Sequence, residues 1–295
     1  MSSRTTLERI FGTRLFLTSC TALVLFAACS PDKVVAPTPQ PAAAPEQPSL
    51  YTYPSAIYRS HVEFGVPSDG SMTNDTHLSK RTHYLSHNCS EGGPNWVSWN
   101  LNKTHFGDAP RATSFYADTE LPAGCYRVVS SDYTYSGYSR GHMVRSEERT
   151  WSIDDNKKTF LMTNILPQTQ DMNGGPWYKF ELYLQDLAQA SNKELYVIAG
   201  PIGNKGTLNG AGKVVIPTYT WKIVVVMPYG QGLANVTSSS SIQVIAVKMP
   251  NTTGISANSW TTYKTTVNDI ENLTKYDFLA KLPDSIETYW EGRVY

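Results

Sequence analysis

Tyr138-Ser139-Arg140-Gly141-His142-Met143, followed further along by Asp171-Met172-Asn173-Gly174-Gly175-Pro176-Trp177 and then by Glu181, is the part of the chain from which its fold is read. From Pro176 onward, Trp177, Phe180, Leu184, Leu187 and Ala188 recur at helical spacing, so a helix opens behind the Gly-Gly-Pro turn. Glu181 falls on the flank of its apolar stripe. Outward from this segment, strand-like runs dominate. Asn95–Leu101 alternates aromatic and polar residues, Thr159–Thr163 is compact and apolar, and Leu195–Ala199 ends at Gly200-Pro201. Tyr219–Met227 and Ile242–Lys248, rich in Val and Ile, read as long central strands. Thr266-Val267-Asn268-Asp269 reads as a helix start with an acidic group at its third position, and Ile270 and Leu273 continue an apolar stripe. The short Ser238–Ser241 run is explained by a hairpin loop. Neither an internal repeat nor a second linker is visible. The pattern is α+β: a central, mainly antiparallel sheet with flanking helices.

The polar residues of the deciding stretch form a chemical set. A single His is most often a packed or surface residue, but His142 shares a strand–loop–strand–helix segment with Arg140, Asn173 and Glu181. Hydrolysis of a phosphodiester needs a base for the attacking water, which an imidazole supplies. It also needs positive charge on the phosphorane and the leaving oxygen, which a guanidinium and a divalent ion supply. Mg²⁺ prefers oxygen ligands and keeps most of its waters, so one amide oxygen and a nearby carboxylate suffice. The plainer readings are that Asn173 is a helix cap and Glu181 a solvated helix residue.

In these residues the chain resembles the DNA/RNA non-specific endonucleases of the ββα-metal class, which include secreted bacterial nucleases and mitochondrial endonuclease G. The family motif Asp-Arg-Gly-His stands here as Ser139-Arg140-Gly141-His142. Arg149-Thr150, Thr163-Asn164-Ile165-Leu166-Pro167-Gln168 and Asn173-Gly174-Gly175-Pro176-Trp177 follow in the family's order. Pro94-Asn95-Trp96-Val97-Ser98-Trp99, the Arg111…Leu121-Pro122 segment, Thr266–Phe278 and Leu282-Pro283-Asp284 extend the likeness over about residues 55–290.

The resemblance implies a ββα-metal fold with His142 as general base and Asn173 as direct Mg²⁺ ligand, Mn²⁺ being an alternative ion. Glu181 would hold metal-bound waters, Arg140 and Arg111 would contact the phosphate, and Asn164 and Gln168 would support the site or the substrate. Substrates would be DNA and RNA, cut without sequence preference to leave 5′-phosphate ends. Contact with phosphate and metal carries no base information. Trp96, Trp99 and Trp177 read as core. Two positions depart from the family: Ser139 replaces the motif Asp, removing a carboxylate, and Gln185, four residues after Glu181, stands where the family often has Arg. These departures motivate one rival, a non-cleaving nucleic-acid-binding lipoprotein on the same fold. A second rival is a phosphatase or a diesterase for small substrates.

Composition agrees with a globular enzyme and excludes a bulk coat for nucleic acid. Of 295 residues, 40% are hydrophobic and 17% charged, with 25 basic and 25 acidic side chains, so nucleic acid must be met by a local patch. Arg4, Arg9 and Arg14 precede an apolar run from Leu15 to Ala28, too short to span a bilayer and right for a signal peptide over 1–28. Phe26-Ala27-Ala28-Cys29 resembles a lipobox, which would give Cys29 a lipid anchor in a membrane. Phe26 departs from the usual Leu, so cleavage to a soluble secreted form stays open. The destination is therefore an outer-membrane or periplasmic lipoprotein, or the exterior. Losing residues 1–28 removes three Arg and one Glu, leaving 22 basic and 24 acidic residues. Pro31, Pro37, Pro39, Pro41, Pro45 and Pro48 mark 29–52 as an extended tether, and the catalytic domain runs over 53–295. Of the four cysteines only Cys89 and Cys125 enter that domain. In an oxidising compartment they suggest one disulfide, two unpaired buried thiols being the alternative. Biological role, oligomeric state and any inhibitor protein are not readable.

Overall fold

Two runs of Val, Ile and aromatic residues, β6 (Lys193–Ile202) and β7 (Tyr219–Pro228), pair over ten positions and form the middle of a seven-stranded sheet. The structure, a computed structural model, describes residues 57–208 and 212–295, so the signal peptide and tether read over 1–52 lie outside it. Beside the central pair lie β3 (Gly93–Leu101), β2 (Tyr84–Asn88) and β1 (Thr76–Ser79) on one side. On the other lie β8 (Gln243–Pro250) and the two-residue β9 (Lys264–Thr265). The order is β1-β2-β3-β6-β7-β8-β9, antiparallel throughout. The expected α+β architecture is the one observed.

These strands read as almost continuously apolar because both faces of the sheet are covered. Leu195, Val197 and Ala199 of β6, with Val224 and Val226 of β7, pack on one face against Trp177, Phe180, Leu184 and Ala188. Those four residues belong to, or directly precede, helix α3 (Tyr178–Gln189). Tyr196, Ile198, Trp221, Ile223 and Val225 face the opposite side. There they meet Val267 and Ile270 of α4 (Val267–Thr274) and Ile286 of α5 (Asp284–Glu291). α4 starts where its sequence pattern places it, with the Thr266 side chain accepting from the Asp269 N–H at 3.0 Å. Trp96, Trp99 and Trp177 are core, each at most 1% exposed.

Two further strands, β4 (Ser139–His142) and β5 (Ile165–Gln168), form a separate antiparallel pair that leads into α3. One expectation is corrected here. Thr159–Thr163 is not a strand: Thr159 ends helix α1 (Ile153–Thr159), and Met162–Asn164 is a turn of 3₁₀ helix. Ser152 caps α1 by accepting from the Asp155 N–H, and Asp154 and Asp155 occupy its first turn, where the helix dipole favours negative charge. The apolar run that follows makes only a single bridge, Leu161 beside Tyr116, and a regular strand starts only at Ile165. Likewise β6 does not stop at Gly200-Pro201 but continues to Ile202.

Cys89 and Cys125 form a disulfide across 36 positions. It ties the end of the β2 region to the long excursion between β3 and β4. Closing a loop of that length stabilises by roughly 3–4 kcal/mol in the chain-entropy picture.

The core also holds histidines away from the β4–β5 segment. His87 of β2 is 1% exposed with both ring nitrogens unpartnered among the described residues, and burial pushes its pKa down to about 4, Asp118 pulling the other way. Burial likewise holds His83 and His105 well below the usual range. In each case the unfolded chain binds the proton more readily. Their contribution is therefore intact above pH ~6.5 and is lost as the pH falls below it. His87→Leu should remove one such liability. Its stability should gain on wild type as pH drops from about 6.5 to 5, at up to roughly 1.4 kcal/mol per pH unit, seen as a relative rise in melting temperature. Melting curves that stay parallel across that range would show that His87 carries no such penalty.

Candidate active site

β4, β5 and the approach to α3 set three polar side chains around one cleft. His142 is the last residue of β4, opposite Ile165 of β5. Asn164 fixes the chain immediately after it. Its Oδ1 accepts from the Val144 N–H at 3.0 Å, its Nδ2 donates to the Val144 and Thr159 carbonyls, and its own carbonyl accepts from the Met143 N–H at 2.9 Å. Asn164 thus supports the site through the backbone and is fully buried. Gln168 of β5 is buried against Gly141, where any Cβ would collide with its amide, which explains the glycine between Arg140 and His142.

The Asn-Gly-Gly-Pro-Trp stretch makes a kinked turn. Thr169 caps the start of the short helix α2 (Gln170–Met172) and Asn173 closes its end through the backbone N–H alone, so the Asn173 side chain is not spent on capping. Gly175 then breaks the helical path at φ −105°, ψ −116°, where a Cβ would lie 2.7 Å from the Ser256 backbone. Pro176 opens the turn into α3. Tyr178, Glu181 and Gln185 follow on one side of that helix, away from the core stripe of Phe180, Leu184 and Ala188.

The resulting cleft holds about 270 Å³. Arg111, His142, Arg145, Ser146 and Glu147 line one wall; Asn173, Gly174, Tyr178 and Glu181 line the other. The structure therefore brings together four of the residues expected from sequence: His142, Asn173, Glu181 and Arg111. Arg140 is not among the lining residues. Its Nη2 donates to the Ser130 carbonyl at 2.6 Å, and its guanidinium packs over Phe115 and Tyr133. It sits two residues from His142 on β4, and the Phe115 ring lies against both side chains. Ser139 is also outside the lining, its Oγ donating to Gln170 Oε1 at 2.8 Å. The second carboxylate of the cleft comes instead from Glu147.

Electrostatics follow from burial. His142 and Phe160 pack their rings edge to face, and among the described residues the His142 Nε2 is buried without a partner. Burial first, then Arg111, push its pKa down to about 3 against the pull of Glu147, so the ring is neutral at ordinary pH. Burial raises the Glu181 carboxyl above its usual range, while Lys222 and Arg145 pull it back. Lys222 is fully buried in β7, with its ammonium 3.9 Å from Glu181 Oε1 and 4.2 Å from the centre of the Trp177 ring. The ring face stands in for part of its lost hydration. Glu148, also buried, accepts from Trp99 Nε1 at 2.8 Å. Sequence reading missed Arg145, Glu147, Tyr178 and Lys222. Only Lys222 carries a signal, as a lone charge in a strand whose neighbours are apolar.

The donor set suits a hydrated divalent cation. Among the described residues neither oxygen of buried Glu181 accepts a hydrogen bond, its nearest cations being 3.7 and 3.9 Å away. The Asn173 side chain also finds no hydrogen-bond partner there. The Glu181 oxygens line the cleft with lone pairs that no hydrogen bond takes up, which an ion with its water shell could use. Asn173 and Glu181 are the residues that would hold it.

A neutral imidazole, two guanidinium groups and a pair of uncommitted oxygen donors around one cleft make a hydrolytic site for an anionic ester, mounted on a β4–β5–α3 unit. Residues 63–285 match the DNA/RNA non-specific endonuclease family, and the chain belongs to it. A nuclease of Nostoc sp. is 44% identical over 239 residues, covering 79% of this chain and 85% of that relative. Human mitochondrial endonuclease G is 24% identical over 180 residues, covering 57% of this chain and 59% of that protein. The fold also matches a chain from the crystal structure of the EndoG/EndoGI complex, with TM-score 0.64 at 21% identity, covering 76% of this chain and 91% of that one.

Proposed function

We propose that this chain is an exported, metal-dependent endonuclease that hydrolyses DNA and RNA phosphodiesters without sequence preference, leaving 5′-phosphate ends. The observation that carries the reading is the cleft itself. An unprotonated imidazole with an unpartnered nitrogen shares it with Arg111 and with the uncommitted oxygens of Asn173 and Glu181. In this reading His142 accepts the proton of the attacking water. Arg111, 52% exposed and stacked on Phe160, faces the negative charge that grows on the phosphate. Asn164 holds His142 in place through the backbone after β4. Asn173 and Glu181 would hold a divalent ion, Mg²⁺ with Mn²⁺ as the alternative, whose charge would offset that of the leaving oxygen. The Arg-flanked apolar run of 1–28 supports export and Cys29 at its end supports lipid anchoring, which the mass of the mature N-terminus checks.

The test is plasmid DNA and single-stranded RNA incubated with purified protein in Mg²⁺, in Mn²⁺ and in chelator. Nicking and degradation of both polymers with either ion, and none in chelator, is the expected result. Full activity in chelator would remove the metal from the mechanism. DNA binding without cleavage under every ion would leave the binding-lipoprotein reading standing. Faster turnover of bis-p-nitrophenyl phosphate than of polymer would point to a small-substrate diesterase.

A further inference from the structure

Arg145 leaves the segment after β4 and crosses the cleft to α3. Its Nη1 donates to Gln185 Oε1 at 2.7 Å, and its guanidinium carbon lies 5.2 Å from the centre of the Tyr178 ring. Gln185 is itself oriented by donating from Nε2 to Gln189 Oε1 at 3.0 Å, which leaves its oxygen toward the arginine. The Arg145 side chain is 10% exposed, and among the described residues its Nη2 has no hydrogen-bond partner. An arginine held on three sides with one donor corner left over is prepared for an acceptor in the cleft.

The carboxylate beside Arg145 on its own wall shows what kind of acceptor fits. Glu147 places Oε1 2.7 Å from Arg111 Nη1 and Oε2 3.1 Å from Arg145 Nε, so one carboxylate bridges two guanidinium groups with one oxygen each. A phosphodiester carries the same charge and two equivalent non-bridging oxygens. Glu147 is 40% exposed and can swing into solvent.

We propose that Arg111 and Arg145 form a two-guanidinium clamp for the substrate phosphodiester, with Tyr178 and Gln185 positioning Arg145 and Glu147 acting as an internal anion that the phosphate displaces. The departure at Gln185 then has a physical account. The guanidinium that the family often draws from that helical position comes here from residue 145, and Gln185 holds it. This proposal rests on the nuclease reading, and its test includes a measurement that needs no cleavage.

DNA affinity of wild type, Arg145→Gln and Glu147→Gln is measured in chelator over a salt series, alongside cleavage kinetics and Mg²⁺ titration. Arg145→Gln should lower the slope of log affinity against log salt by about 0.9, the value of one lost phosphate contact. It should also lower kcat/KM at least ~10²-fold, with half-saturating Mg²⁺ unchanged within about twofold. Arg145→Lys should recover little, because an ammonium cannot fork between two acceptors. Adding Gln185→Arg to Arg145→Gln should restore at least about tenfold by delivering a guanidinium from α3. Glu147→Gln should tighten DNA binding. An unchanged salt slope for Arg145→Gln would overturn the clamp, as would a loss of activity traced wholly to weaker Mg²⁺ binding, since Arg145 would then serve only Glu181. Failure of the Gln185→Arg rescue would overturn the positional exchange. If wild type binds with the expected slope yet cuts nothing, the nuclease reading falls while the clamp stands.

Discussion

His142→Ala should slow DNA cleavage at least ~10²-fold, the usual span of a lost general base, while the protein stays folded. The imidazole contributes little that the fold needs. Among the described residues its Nε2 has no partner, and its ring packs against Phe160 and Phe115, so alanine orphans no hydrogen-bond partner of that nitrogen. The strand that carries it is held by β5 pairing and by the Asn164 bonds, which do not involve the ring. Half-saturating Mg²⁺ should therefore remain as in wild type, with the loss confined to the rate at saturating metal and DNA. Cleavage at near wild-type rate, with an unchanged melting temperature, would remove His142 from the role of base.

Asn173→Ala should produce the complementary pattern. The side chain forms no hydrogen bond among the described residues, and α2 is capped by Thr169, so its loss leaves the local fold intact. What disappears is the neutral oxygen beside Glu181. Losing even an outer contact of a metal site costs about 10–100-fold in metal affinity or activity, so losing a direct ligand should raise half-saturating Mg²⁺ at least tenfold. Part of the rate should return at high Mg²⁺, which His142→Ala should never show. A metal titration identical to wild type would place the ion elsewhere and leave Asn173 as a turn former.

The Glu181 carboxyl is lifted by burial and drawn back by Lys222 and Arg145. A divalent ion held there would add to that pull. Lys222 matters here because it sits beneath the carboxylate in a wall of tryptophan, beyond the reach of solvent screening.

Much of this architecture was legible along the chain because it depends on local regularities. The two-face burial of β6 and β7 writes continuous apolar runs, α3 writes a 3.6-residue stripe, and α4 writes its own cap at Thr266. Gly141 and Gly175 are demanded by close approach, to Gln168 and to the Ser256 backbone, so the motifs around them are readable as motifs. His142, Asn173, Glu181 and Arg111 could be named from order and spacing, and one cleft does gather them. Thr159–Thr163 misled because a short apolar run is equally at home in a buried turn, and the Ser152 cap decided for helix just before it.

What only the tertiary structure decided concerns side chains whose partners are distant in sequence. Arg140 lies beside the motif histidine yet points its guanidinium to Ser130, whereas Arg145 crosses to α3 and enters the cleft. Ser139 lacks the family's carboxylate and turns to Gln170, while Glu147 brings a carboxylate from another turn. Lys222, 41 positions beyond Glu181, arrives beneath it because β7 lies under α3. The physical reason is the same in each case. Periodicity and caps are energies of neighbours along the chain, and sequence carries them directly. The direction of a long charged side chain is set by whichever acceptor packing places within its reach.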